Sequence, residues 1–171
     1  MNKLGFIGMG NMAQALAAGF IKAKAIAPEK VFAFAPNQEK LQRNAKAIGF
    51  TPVANLAALA DAADTLIMAC KPYQIASVLK DFGQKLNGKA LISVAAGWDM
   101  AHYQKFLQTD TRLQFVMPNT PALVGEGVLL FEESNSLELA ERQQIMQLFA
   151  SVGLVQELPS NLMGIGGTVT G

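Results

Sequence analysis

Leu4-Gly5-Phe6-Ile7-Gly8-Met9-Gly10-Asn11-Met12-Ala13 decides how the rest of this 171-residue chain is read. A short apolar run ends in Gly8-x-Gly10-x-x-Ala13, and a helical pattern from Met12 to Lys24 follows at once. That is the form of the first strand–turn–helix unit with which a Rossmann-like domain holds a dinucleotide pyrophosphate. Gly8 permits the tight turn, and Gly10, lacking a Cβ, lets phosphate approach the backbone. Ala13 stands where a third glycine is usual, a position that need only be small. The helix N-terminus adds free N–H donors and a positive dipole end. A tight turn without a ligand uses the same residues. The strand-like run before this one and the amphipathic helix after it favour the dinucleotide.

Outward from the turn, strand-like and helix-like segments alternate along the chain. The expected strands are Leu4–Ile7, Val31–Ala35, Thr65–Ala69, Ala90–Val94, Leu113–Met117 and Val128–Phe131, with a short edge strand at Leu154–Gln156. The expected helices are Ala13–Lys24, Gln38–Ile48, Leu56–Ala60, Gln74–Phe82, Asp99–Phe106 and Leu137–Ser151. Leu66-Ile67-Met68-Ala69 and Ala90-Leu91-Ile92-Ser93-Val94 lack polar alternation, as strands covered on both faces do. The fold class expected is therefore α/β: a Rossmann-like, doubly wound, mostly parallel sheet with helices on both faces. The glycine-rich stretch Met163 to Gly171 reads as an uncapped tail, with more protein expected to follow.

The chain is 51% hydrophobic and 16% charged, enough to build a sizeable core and unlike a disordered segment. A net charge of +1 without a Lys/Arg cluster argues against nucleic acid or an acidic membrane as partner. Gly5, Gly8, Gly10, Asn11 and Gln14 interrupt the apolar N-terminus, so it reads as neither signal peptide nor membrane span. A single cysteine, Cys70, excludes an internal disulfide and fits a reducing cytoplasm.

In an open α/β sheet, ligands bind beyond the carboxyl ends of the strands, where strand order reverses. Four such ends carry candidates. Ala35-Pro36-Asn37 lacks the Asp or Glu that binds an NAD ribose, which leans towards NADP(H) over NAD(H), although Pro36-Asn37 also reads as a plain helix cap. Ala69-Cys70-Lys71-Pro72 offers Lys71 to a phosphate or ribose, or simply to solvent; Cys70 reads as a small apolar filler. Val94-Ala95-Ala96-Gly97 is small enough for a flat ring to lie against the backbone. Met117-Pro118-Asn119-Thr120-Pro121-Ala122 is stiff and presents Asn119 and Thr120, either to a ligand or to an ordinary Asx turn. His102 reads as a surface or half-buried helix residue, the carboxylates of Glu132–Glu141 as a solvated face. No metal-ligand spacing is present.

Taken together, Gly5 to Ala13, Cys70-Lys71-Pro72, Ile92 to Gly97 and Met117 to Ala122 resemble the pyrroline-5-carboxylate reductase family, over almost the whole chain from Leu4 to Gly171. The resemblance implies reduction of the small cyclic imine 1-pyrroline-5-carboxylate to L-proline, the last step of proline biosynthesis, with NADP(H) or alternatively NAD(H). It places Gly8, Met9, Gly10, Asn11 and Met12 at the pyrophosphate, and Ala35, Pro36 and Asn37 at the adenine ribose. Ala69, Cys70, Lys71 and Pro72, with Ala95, Ala96 and Gly97, would line the nicotinamide half. Asn55 would touch the adenosine side, and Asn119 is the one candidate for the catalytic wall. The resemblance also implies a dinucleotide-binding domain over 1–157 and, over 158–171, the start of a helical domain that binds substrate carboxylate and makes a homodimer or higher homo-oligomer. Without that domain the chain is expected to bind cofactor and to reduce imine poorly. A 3-hydroxyacid dehydrogenase-like enzyme and a non-catalytic nucleotide-sensing module are the alternative readings.

Overall fold

The computed structural model of the chain describes residues 3–98 and 100–170. The strands are β1 (Leu4–Ile7), β2 (Val31–Phe34), β3 (Thr51–Pro52), β4 (Thr65–Met68), β5 (Ala90–Ser93), β6 (Arg112–Met117), β7 (Gly127–Asn135) and β8 (Gly153–Leu158). Between them run α1 (Asn11–Lys22), α2 (Gln38–Ile48), α3 (Leu56–Ala62), α4 (Pro72–Phe82), α5 (Met100–Gln104) and α6 (Leu139–Ala150), and α7 (Met163–Thr170) follows β8. The strands form one sheet in the order β3-β2-β1-β4-β5-β6-β7-β8. Every neighbouring pair is parallel except β6 and β7. Strand order reverses between β1 and β4, which are paired side by side.

Alternation along the buried strands explains the layers. Leu4 and Phe6 of β1, Ile67 of β4 and Ile92 of β5 turn to one face, where they meet Leu16 and Phe20 of α1, Leu41 of α2 and Phe149 of α6. Ile7, Leu66, Met68 and Leu91 turn to the other, against Leu59 of α3, Ile75 and Leu79 of α4 and Tyr103 of α5. Successive strand side chains point oppositely, so a strand buried on both faces must be apolar at every position. On the first face Phe149 packs edge-on against Phe20 and Phe131, with ring centroids 5.2 and 5.3 Å apart, locking α1 and α6 onto β7.

Four differences separate the fold from the sequence reading. The two-residue β3 is too short to carry a periodic pattern. β7 runs on to Asn135, and its Glu132 is buried at 7% exposure rather than solvated, while Glu141 pairs with Arg112 at 2.8 Å. The glycine-rich tail is helical as α7, laid over Phe115 and Leu130 through Met163. The helix expected from Asp99 to Phe106 is Met100–Gln104; Asp99 lies outside the described residues.

Candidate dinucleotide site

Register brings the candidate loops into one row. Ile7 pairs with Phe34 and with Met68, and Met68 pairs with Ser93, so β1, β2, β4 and β5 end level. Three backbone bonds carry the row one residue further: Gly8 N–H to the Phe34 carbonyl (2.8 Å), Ala69 N–H to Ile7 (2.9 Å) and Val94 N–H to Met68 (3.1 Å). The turns holding Gly8, Ala35, Cys70 and Ala95 therefore share one edge of the sheet, spanning the β1/β4 reversal.

The two turn glycines are required for different reasons. Gly8 has φ +96°, and a Cβ there would stand 2.8 Å from the Cys70 backbone nitrogen. Its lack of a side chain lets β1 and β4 close together. Around Gly10, an added Cβ would meet nothing within 4 Å. Gly10 is the N-cap of α1, extended at φ −77°, and no side chain caps that helix. The first turn of α1 thus has no side-chain acceptor and the space beside Gly10 is open, an arrangement that suits a bulky anion. Donor set and space both fit a pyrophosphate.

The neighbouring candidates divide into backbone and side-chain contributors. Met9 is buried in the core and Met12 packs against it, so at these positions the backbone alone is offered. Asn11 and Pro36 are exposed at the rim. Asn37 caps α2, accepting from Lys40 N–H at 2.9 Å, and Asn55 caps α3 in the same way through Ala58 N–H at 2.9 Å. Pro72 opens α4, where its missing N–H costs nothing. Lys71 precedes it, exposed, with its backbone N–H held by Gln74 at 3.2 Å. Burial pushes the Cys70 thiol up to about 11, so it is neutral at ordinary pH, and its Sγ rests 3.4 Å from Met68 Sδ. Ala95 is buried; Ala96 and Gly97 are exposed.

A cleft of about 300 Å³ opens beside this row, between Gly8, Pro36 and Cys70 on one side and Leu56, Tyr73 and Gln74 on the other. Its wall includes Tyr73 of α4, 82% exposed, which the sequence reading did not single out because a lone aromatic on a helix carries no spacing signal. Two glutamines were also missed. Gln14 donates to the Met9 carbonyl (3.0 Å), pinning the glycine turn to its own helix. Gln38 donates to the carbonyls of Ala35 (2.9 Å) and Val53 (3.4 Å), tying the turns after β2 and β3 together. Such side-chain bonds to backbone carbonyls follow no fixed spacing and leave no motif.

Asn119 lies beyond the carboxyl end of β6, on the same edge, but its amide is engaged on both sides. It accepts from Val128 N–H at 2.8 Å and donates to the Thr170 carbonyl at 2.8 Å. Thr120–Val124 forms a 3-10 turn against α1, where an added Cβ at Gly19 would stand 2.6 Å from the Ala122 carbonyl oxygen. His102 is exposed on α5, as expected. Among the described residues, no group of three His, Cys, Asp or Glu is placed to hold a metal, and no helix is long and apolar enough to cross a membrane.

Comparison with known proteins agrees with this geometry. Residues 3–97 match the family model described as NADP oxidoreductase, coenzyme F420-dependent. The chain is 33% identical over 172 residues to a pyrroline-5-carboxylate reductase of Treponema pallidum, covering 98% of this chain and 65% of that protein. It is 38% identical over 156 residues to one of Pasteurella multocida, covering 86% of this chain and 55% of the relative. The crystal structure of Plasmodium falciparum pyrroline carboxylate reductase with NADP bound superposes with a TM-score of 0.89 at 29% identity, covering 98% of this chain and 62% of that one. The chain thus spans under two thirds of the length of these relatives.

Proposed function

The chain belongs to the family of NADP oxidoreductases described as coenzyme F420-dependent, and from that membership we propose that it is the dinucleotide-binding part of a pyrroline-5-carboxylate reductase. In this reading NADPH is the cofactor, and 1-pyrroline-5-carboxylate is reduced to L-proline as the closing step of proline biosynthesis. The observation that carries it is the open space at Gly10, beside an uncapped helix N-terminus, in a level row of four strand ends. The relatives bearing the reductase name, and the NADP in the Plasmodium falciparum structure, support the same choice.

The residues divide the work. The turn from Gly8 to Met12 holds the pyrophosphate, with N–H donation from the residues after Gly8, whose own N–H is taken by the Phe34 carbonyl. Ala35 to Asn37 bounds the adenine ribose, and the absence of a carboxylate there leaves a 2′-phosphate unopposed, which favours NADPH over NADH. Asn55 closes the adenosine side from the start of α3. Ala69 to Pro72 and Ala95 to Gly97 border the nicotinamide half and keep the ring on the sheet edge, with Lys71 the nearby cation.

When bound, the cofactor supplies the hydride for the imine carbon. A protonated imine is already electrophilic, so the protein's task is orientation and water exclusion, with no general base required. That fits a site built of backbone, small residues and a neutral thiol. Residues 1–157 form the dinucleotide-binding domain in this proposal. Residues 158–171 begin a helical domain that completes the substrate pocket and joins two or more copies of a cytoplasmic enzyme.

NADPH oxidation on addition of 1-pyrroline-5-carboxylate tests the division. Binding of NADPH with little or no turnover by the 171-residue chain is expected. Rapid turnover would put the substrate residues within the chain and overturn the division. Reduction of NADP to NADPH by a 3-hydroxyacid, which is itself oxidised to the 3-oxoacid, would favour the dehydrogenase alternative.

A further inference from the structure

The loop after β5 is held from beneath by a pair of hydroxyls that the proposed chemistry does not use. Ser93, the last residue of β5, and Tyr103 of α5 are both wholly buried at 0% exposure. Their oxygens lie 2.8 Å apart, and Ala95 N–H also leans on the Ser93 hydroxyl at 3.4 Å. Trp98, at the far end of the loop, packs edge-on against the same Tyr103 ring at 5.1 Å and lies 6.0 Å from Phe106. Tyr103 thus fixes both ends of Val94–Gly97, one by a hydrogen bond and the other by ring contact. The middle of the loop faces outward, with Ala96 and Gly97 exposed and nothing within 4 Å of an added Cβ at Gly97.

A phenol in this otherwise apolar cluster must find a partner, since an unbonded buried hydroxyl is costly. Phenylalanine would fill the same volume without that demand. The partner Tyr103 has is the residue at which the loop begins. We infer that Ser93 and Tyr103 are positioning residues for the nicotinamide half of the cofactor, setting the height of the Ala95–Gly97 backbone without touching the ligand. The inference rests on the dinucleotide reading above and specifies which part of the ligand each region of the row holds.

Tyr103→Phe separates this role from general packing when two ligands are titrated by calorimetry. NADPH needs both halves of the site, whereas adenosine 2′,5′-bisphosphate needs only the adenosine half. The variant should bind NADPH about fivefold more weakly, the size of one lost hydrogen bond, and adenosine 2′,5′-bisphosphate as the unaltered protein does. Ser93→Ala removes the same bond from its other end, together with the Ala95 N–H contact, and should show the same split, which keeps the test open should Tyr103→Phe fold poorly. Unchanged NADPH affinity, or equal weakening of both ligands, would overturn the inference. Failure of the unaltered protein to bind NADPH at all would overturn the dinucleotide reading itself, and this inference with it.

Discussion

At the residue scale, Gly8 and Gly10 make opposite predictions although the motif treats them alike. Gly8→Ala places a Cβ on a left-handed backbone against Cys70, at a cost of about 1–3 kcal/mol from the backbone alone. Chemical denaturation should show that loss of stability. Gly10→Ala meets no protein atom and has an ordinary φ, so the folded chain should keep its stability while NADPH affinity falls. Loss of stability at Gly10, or unchanged affinity there, would contradict the assignment. The half-buried thiol gives a pH dependence of definite sign. Burial raises Cys70 from 9.0 to about 11, and burial also raises Tyr103 above its ordinary value. The folded chain keeps protons that the unfolded chain releases, so stability falls as pH rises from about 9 to about 11. Melting temperatures recorded from pH 8 to 11 should drop, and drop less in Cys70→Ala. The glycine turn was legible because both glycines answer to local geometry. The demand that the Gly8 Cβ be absent for Cys70's sake joins residues 62 positions apart, which no spacing reveals.

At the scale of elements, the strands buried on both faces and the helices α2 and α4 were legible because hydrophobic period and cap residues agree. Asn37 is a cap in fact, and Asn37→Ala should cost about 1 kcal/mol in a denaturant melt. The helix α7 was not legible, since Gly164, Gly166 and Gly167 are poor helix formers taken alone. Packing rewards them: a Cβ on Gly166 would run into Leu158 and Leu130, and one on Gly167 into the Met117 side chain. Close approach of a helix to a sheet outweighs its weak propensity. The same seam explains Asn119. Its amide joins β7 to the end of α7, so Asn119→Ala should cost about 1–3 kcal/mol in stability, with NADPH affinity unchanged. Weakened NADPH binding at unchanged stability would instead make Asn119 a wall of the ligand site.

At the scale of the molecule, the order of strands converts scattered loops into one edge. Val31–Phe34, Thr65–Met68 and Ala90–Ser93 lie parallel to the first strand or to its neighbour, and their level ends make the candidate site. Alternation of strands and helices predicts this layout because parallel strands need crossovers that return each one to the same side. What escaped prediction has two causes. β3 and the length of β7 depend on pairings between distant residues, while the ties from Gln14 and Gln38 to Met9 and Ala35 are local side-chain bonds to backbone carbonyls that hydrophobic period does not register. The central claim is that this edge holds NADPH, and titration with NADPH and NADH tests it most directly, read by nicotinamide fluorescence and melting temperature together. Saturable binding is expected, with NADPH tighter than NADH and a rise of roughly 5–10 °C at a hundredfold excess over Kd. Neither fluorescence change nor thermal shift with either nucleotide would contradict the account and leave the glycine turn a purely structural device.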